Sequence, residues 1–206
     1  MHIAKRKTLA ALAALLLPVT AQMAYAQDAA LADKPKESMQ AAAPKVKFNT
    51  SVGDIVVQLD PIKAPKTVAN FLGYVQDKFY NGTIFHRVIG DFMIQGGGFT
   101  ANMKQKPTKP PVVSESNNGL KNDKYTIAMA RSGDPNSATA QFFINIKDND
   151  SLNAPNPDGY GYTVFGKVVQ GQEVVDRIKS VRTGSKGIYQ NVPIEPITIL
   201  SATLVE

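Results

Sequence analysis

Residues 85–100 read FHRVIGDFMIQGGGFT and hold the side chains with the most chemical reach in the chain. Arg87 stands among apolar neighbours, where a permanent cation is rarely tolerated without a partner. Its planar guanidinium stays charged and offers several N–H donors, so it can pair with a carboxylate or donate to a lone pair that develops during a reaction. From the residues alone, a structural ion pair is the first expectation. His86 invites a general-base role, yet the only other histidine is His2, and His86 reads as structural. Gly96, Gly97 and Gly98 lack the Gly-Lys-Ser/Thr ending of a phosphate loop and no helix pattern follows them. Close backbone packing or a bulge suits them better.

Other chemistries are poorly provided for. The chain has no cysteine, which excludes a thiol nucleophile, a thiolate metal site and a lipid-modified cysteine anchor. Beyond residue 26 it has one histidine and no spaced acidic cluster, so neither a metal nor a cofactor is expected. Lys104, Lys106 and Lys109 form a loose group best read as a solvated loop, and no nucleic-acid-reading motif accompanies them. Asn81-Gly82-Thr83 fits a glycosylation sequon but is more simply a turn.

Positioning Arg87 and Gln95 requires a hairpin around Gly90-Asp91, and two registers are open. A two-residue loop pairs Ile89 with Phe92 and Arg87 with Ile94. A three-residue loop, 90–92, pairs Ile89 with Met93 and Arg87 with Gln95. One slip moves every side chain to the other face. Only the second register sets the guanidinium beside the amide, on a face shared with Met93, and accounts for both polar residues at once.

The chain has 206 residues, enough for one domain, with a globular 43% hydrophobic content and 19% charged residues. Its start is different in kind. Lys5, Arg6 and Lys7 precede a short apolar run over 9–19, and Ala24-Tyr25-Ala26 fits a small-x-small cleavage site. Residues 1–26 are read as a secretory signal peptide of the general, not twin-arginine, type. Without Lys5, Arg6 and Lys7 the formal charge falls from +6 to about +3, with 20 basic and 17 acidic residues. The basic balance is thus partly an export signal. Residues 27–44, rich in Ala, Lys, Gln and Pro, are read as a flexible tether.

From Val46 the patterns sharpen. Alternation through Val46 and Phe48, turn chemistry at 51–54, and alternation through Ile55, Val57 and Leu59 predict a hairpin. Pro65 opens a helix whose buried face is Val68, Phe71, Leu72 and Val75. Residues 83–98 hold two strand-like runs, and 99–124 form a long proline-bearing surface excursion. Strands are expected at 125–130, 141–146 and 162–169, a loop at 147–161, a short helix through Val174, Val175 and Ile178, and a last strand through Ile197, Ile199 and Leu204. Many short strands with two helices suggest a closed antiparallel barrel capped by helices. The regular strand–helix alternation of a doubly wound fold is missing.

FHRVIGDFMIQGGGFT resembles the signature of cyclophilin-type peptidyl-prolyl cis/trans isomerases. NGLKNDKYTIAMAR, SATAQFFINI and YTVFGKVVQG resemble later blocks of that family, in the right order. The resemblance covers residues 45–206, with details similar to the bacterial exported branch. It implies a mainly β domain over 45–206: a closed eight-stranded antiparallel barrel capped by two α-helices. It implies that Arg87 is catalytic. It also implies a substrate site of Phe92, Met93, Gln95, Ala130, Arg131, Gln141, Phe143, Leu152 and Tyr162. Phe142 and Phe143 must face opposite sides of their strand; that Phe143 takes the groove side rests on the resemblance. Three positions depart from common family patterns. Arg131 stands where many eukaryotic members have asparagine, and Tyr162 where histidine is frequent. Ser151 takes a position that elsewhere carries Trp or Phe, which thins the pocket wall and weakens cyclosporin-like binding.

The implied substrates are proline-containing peptides and unfolded exported proteins, met in the periplasm by a monomer that binds neither nucleic acid nor, after signal cleavage, membrane. The implied reaction is rotation about an Xaa–Pro bond. The alternative is a peptide-binding chaperone module on the same barrel with little catalysis, which the loss of the ring at Ser151 keeps open.

Overall fold

The structure, a computed structural model, describes residues 43–205. The expected signal peptide over 1–26 and nearly all of the tether over 27–44 lie outside the described residues. Strands β1 (Lys45–Thr50) and β2 (Gly53–Leu59) form the expected hairpin, with Phe48 opposite Ile55. Helix α1 (Pro65–Gln76) follows, then β3 (Thr83–Ile89), β4 (Met93–Thr100), β5 (Thr126–Met129), β6 (Phe142–Asn145) and β7 (Val164–Gln170). Helix α2 (Gln172–Lys179), a hairpin of β8 (Thr183–Lys186) and β9 (Tyr189–Pro193), and β10 (Thr198–Val205) complete the chain.

Eight strands close into a barrel in the order β1-β10-β3-β4-β6-β5-β7-β2, every pairing antiparallel. This is the expected mainly β class, and closure leaves no barrel edge to protect. The interior is packed with rings. Phe48 stacks on Phe142 with centroids 5.1 Å apart, and Phe71 from α1 lies 5.1 Å from Phe165. The buried face of α1 is Thr67, Val68, Phe71, Tyr74 and Val75, with Leu72 only partly covered. Helix α2 buries Val174, Val175 and Ile178 against the same core.

Helix α1 begins with Pro65 in its first turn, and Ala64 before it supplies no side-chain cap. A carboxylate from far along the chain does that work. Glu115 accepts from the N–H groups of Lys66 and Thr67 at 3.0 and 2.8 Å, and from the Thr67 hydroxyl at 2.7 Å. A negative charge is well placed at the positive end of a helix. The 99–124 excursion is therefore tied down. A bridge between Val112 and Ala138 and a bond from the Lys109 N–H to the Tyr74 hydroxyl at 2.8 Å hold it further.

Two expectations need correction. Strand ends differ by one or two residues, so Tyr162 precedes β7 and Ile197 precedes β10. The β8–β9 hairpin has no counterpart in the sequence reading. Its residues TGSK and YQNVP lack an apolar alternation, and only Val192 and Pro193 are buried. Backbone pairing from Thr183–Pro193 to Lys186–Tyr189 holds it together instead.

Candidate active site

The β3–β4 hairpin adopts the three-residue register. Ile89 pairs with Met93 and Arg87 with Gln95, so the two polar residues share a face. That face is outside the barrel. Val88, Ile94, Ile127, Phe142 and Ile144 point into the main core, whereas their neighbours on the same strands point out. Pairing continues around the wall. Gln95 is opposite Phe143, Phe143 opposite Ala128, and Ala128 opposite Val164. One row thus runs from a cation through an amide to an apolar floor. Arg87 and Phe143 are two strands apart, roughly 10 Å of backbone spacing.

On this outer face Met93, Ala128, Phe143, Leu152 and Val164 form a second apolar cluster, separate from the barrel core. Ile89, Phe92, Leu120, Ala130 and Tyr162 pack around it. Six of the expected substrate residues, Phe92, Met93, Ala130, Phe143, Leu152 and Tyr162, are thereby brought together. Phe143 lies in this outer cluster and Phe142 in the barrel core. Leu152 arrives on a single 3-10 turn over Asp150–Leu152. Ser151 beside it is exposed, so no ring covers the cluster at that position.

Gln95 does not hold Arg87. Its Nε2 donates to Oε1 of Gln141 at 3.0 Å, which joins the two expected amides to each other. Gly98 makes room for this pair, since a Cβ there would lie 2.5 Å from Cγ of Gln141. Gly97, at φ +80°, passes equally close to Phe142 and Tyr80. Among the described residues the Arg87 guanidinium has no salt bridge and no hydrogen-bond acceptor. Among the described residues the ion pair that composition suggested is not formed. Arg87 is half-buried, and among the described residues its donors are unspent.

Arg131 is the opposite case. Its side chain is 3% exposed, and its Nε, Nη1 and Nη2 donate to Gly161 O at 2.9 Å, Ser132 O at 3.0 Å and Asp158 Oδ1 at 2.8 Å. Its guanidinium lies 4.5 Å over the Tyr162 ring, whose edge meets Phe143 at 5.7 Å. The fork holds the 158–162 loop against the cluster. The same bonds keep the Asp158 carboxyl below its usual range, the Arg131 hydrogen bond being the main cause. The Ala130 N–H is bonded to Gln141 O at 3.0 Å, which leaves its carbonyl as the group able to hold a peptide.

His86 is 5% exposed and its ring packs 4.6 Å from Phe99. Burial lowers its pKa to about 4, so near neutrality it is uncharged and adds no repulsion beside Arg87. Among the described residues no three His, Asp or Glu side chains gather as metal ligands.

Sequence reasoning missed an amide network beneath the cluster. Asn145 donates to Asn122 and Thr126 at 3.2 and 2.9 Å. Asn149 donates to Phe92 O at 2.8 Å and to Asn145 Oδ1 at 2.7 Å, and Asn122 to Leu152 O at 3.2 Å. These side chains are at most 4% exposed. They fix Phe92 and Leu152 from below. The available signal was Asn145, a polar residue inside the apolar run FFINI.

The family described as "Cyclophilin type peptidyl-prolyl cis-trans isomerase/CLD" matches residues 45–204. Peptidyl-prolyl cis-trans isomerase cyp18 of Streptomyces antibioticus is 60% identical over 161 residues, covering 77% of this chain and 97% of that protein. Peptidyl-prolyl cis-trans isomerase B of Escherichia coli is 57% identical over 163 residues, 78% of this chain and 99% of its own. Among solved structures, a cyclophilin type isomerase of Cryptosporidium parvum in the presence of the dipeptide Ala-Pro superposes with a TM-score of 0.65. It is 28% identical and covers 79% of this chain and 99% of its own.

Proposed function

Since the chain belongs to the cyclophilin-type peptidyl-prolyl cis-trans isomerases, we propose that Arg87 stabilises the twisted Xaa–Pro amide over the outer apolar cluster, and that the clients are exported proteins during folding. The activity itself, isomerisation of the prolyl peptide bond, is carried by relatives 53–60% identical over most of the chain.

Partial double-bond character gives the peptide bond a barrier of ~18–20 kcal/mol, and uncatalysed exchange at proline takes tens of seconds or more. No bond is made or broken. The task is to favour the state in which the amide is twisted and the prolyl nitrogen has regained its lone pair. A donor aimed at that nitrogen acts on the transition state and little on the planar ground states, so it raises the rate and not merely affinity. Arg87 meets the requirement because, among the described residues, its donors are unspent, and the adjoining strand carries Met93 of the apolar cluster. The cluster of Met93, Phe143, Leu152 and Phe92 would take the proline ring, while Gln95, Gln141 and the Ala130 carbonyl grip the flanking chain. A 10⁵-fold acceleration needs roughly 7 kcal/mol. One charge-assisted hydrogen bond supplies about 1.5–3, and orientation and desolvation in the pocket supply the remainder. Proline-containing peptides as ligands accord with the Ala-Pro dipeptide in the Cryptosporidium parvum structure.

A guanidinium without a partner among the described residues, near an apolar cluster on the barrel's outer face, is the observation that carries this mechanism. Its test is a protease-coupled assay on a short Xaa–Pro peptide. Arg87→Ala is expected to lose about 10- to 100-fold in kcat/KM with little change in melting temperature, because among the described residues it breaks no hydrogen bond or salt bridge. Equal and negligible rates for wild type and variant would support a peptide-binding chaperone instead. Export rests on the basic start, apolar run and Ala24-Tyr25-Ala26 site. N-terminal sequencing of the secreted or periplasmic fraction should begin at Gln27, and a chain retained whole in the cytoplasm would overturn this reading.

A further inference from the structure

The barrel wall carries a second hollow, on the far side of Gln95 from the apolar cluster. It encloses about 460 Å³ between Arg87, Gln95 and Gln141 on the wall and Ile188, Tyr189 and Asn191 on the β8–β9 hairpin. Along β4 the order is Met93 in the cluster, Gln95, then Phe99 beneath the hairpin. Met93 to Phe99 is six residues, roughly 20 Å of strand. A polypeptide with its proline over Met93 and Phe143 can therefore cross Gln95 and reach the hairpin within a few residues.

The hairpin is braced for contact. The Tyr189 ring packs 5.2 Å from Phe99, which in turn packs 4.6 Å from His86. Lys186 Nζ donates to Ala101 O at 2.8 Å. Gly187, at φ +62°, opens a two-residue turn, the position where such turns require a left-handed backbone. The second turn residue is Ile188, which is 89% exposed. A polar hairpin that ends on a nearly naked isoleucine, above a hollow of side-chain amides, gives that side chain no role in the core.

We propose that this hollow is a second binding station for the same polypeptide, taking an extended segment three to five residues from the target proline. Gln95, Gln141 and Asn191 bond its backbone, and Ile188 covers an apolar side chain. The site rests on the isomerase reading above but makes a separate claim, that flanking length and hydrophobicity set specificity through the hairpin.

The experiment compares two Xaa–Pro substrates, one with a single residue on each side of the dipeptide and one with five, including leucines at the outer positions. For the wild type the long substrate should have about tenfold higher kcat/KM, mostly through KM. Ile188→Asp should bring the ratio of long to short close to one, while Ile188→Val should preserve it. An equal ratio in wild type and Ile188→Asp, or no length preference at all, overturns the proposal. Chemical-shift mapping of the wild type with the long peptide keeps the two claims apart. Shifts at Ile188, Tyr189 and Asn191 support the station even if catalysis fails, and silence there overturns it even if catalysis succeeds.

Discussion

The guanidinium of Arg131 lies 4.5 Å above the ring of Tyr162, and that ring meets Phe143 edge-on at 5.7 Å. A cation with its donors already engaged thus orders the wall of the apolar cluster without itself facing solvent. Arg131→Ala removes three hydrogen bonds and the stacking partner, so the 158–162 loop should loosen. We expect about tenfold lower kcat/KM for peptide isomerisation, carried by KM. Arg131→Lys should recover only part of it, since an ammonium cannot reproduce the planar fork. Peptide kinetics on both variants check this. The paired carboxyl of Asp158 is held below its usual pKa. Its contribution is present above the unfolded carboxylate value near 4 and is lost only as pH falls through the lower folded value. The Arg131 effect should therefore be constant from pH 5 to 8.

Asn149 links the floor of the cluster to its rim by donating to Phe92 O and to Asn145. Asn149→Ala leaves buried acceptors short of a donor and should cost about 1–3 kcal/mol. Denaturant unfolding measures that loss. Because Phe92 and Leu152 lose their support together, KM for peptide should rise more than kcat falls.

His86 predicts an acid-side slope in stability. Its folded pKa of about 4 lies below the ordinary value of 6.5, with burial as the main cause. The unfolded chain therefore binds the proton first, and stability falls as pH drops from about 6.5 to 4, by about 3 kcal/mol in all. Above pH 6.5 the group is neutral in both states and contributes no slope. Chemical denaturation across pH 4–7 should show the slope in the wild type and lose most of it in His86→Phe. An unchanged slope in the variant would contradict the assignment.

Glu115 caps α1 from 48 or 49 residues away. Glu115→Ala should lower stability by about 1–2 kcal/mol, with Glu115→Gln intermediate because it keeps acceptors and loses charge. Unfolding midpoints of the three proteins decide it. Protease nicking within 107–118 should also speed up in Glu115→Ala, since that carboxylate helps hold the excursion down.

Much of this fold is written locally. Alternation marks β1 and β2, Pro65 and the spacing of Val68, Phe71 and Val75 mark α1, and the Arg87–Gln95 pair makes sense of one hairpin register. Alternation also requires Phe142 and Phe143 to part company, but it cannot tell inside from outside, because both faces of that wall are apolar. Only family resemblance chose between them. What stayed hidden was built from distant partners. Glu115 finds α1, Asn122 finds Leu152, and Gln95 turns to Gln141 and away from Arg87. The β8–β9 hairpin was invisible for a different reason: backbone pairing specifies it, and its side chains carry no pattern.

The stacked rings of Phe48, Phe71, Phe142 and Phe165 leave the lumen solid. Nothing can be threaded through such a cylinder, so whatever it handles must be met on its flank. A flank has no end to enter by. It can reach a prolyl bond in the middle of a continuous chain, turn it, and let go without ever needing a free terminus.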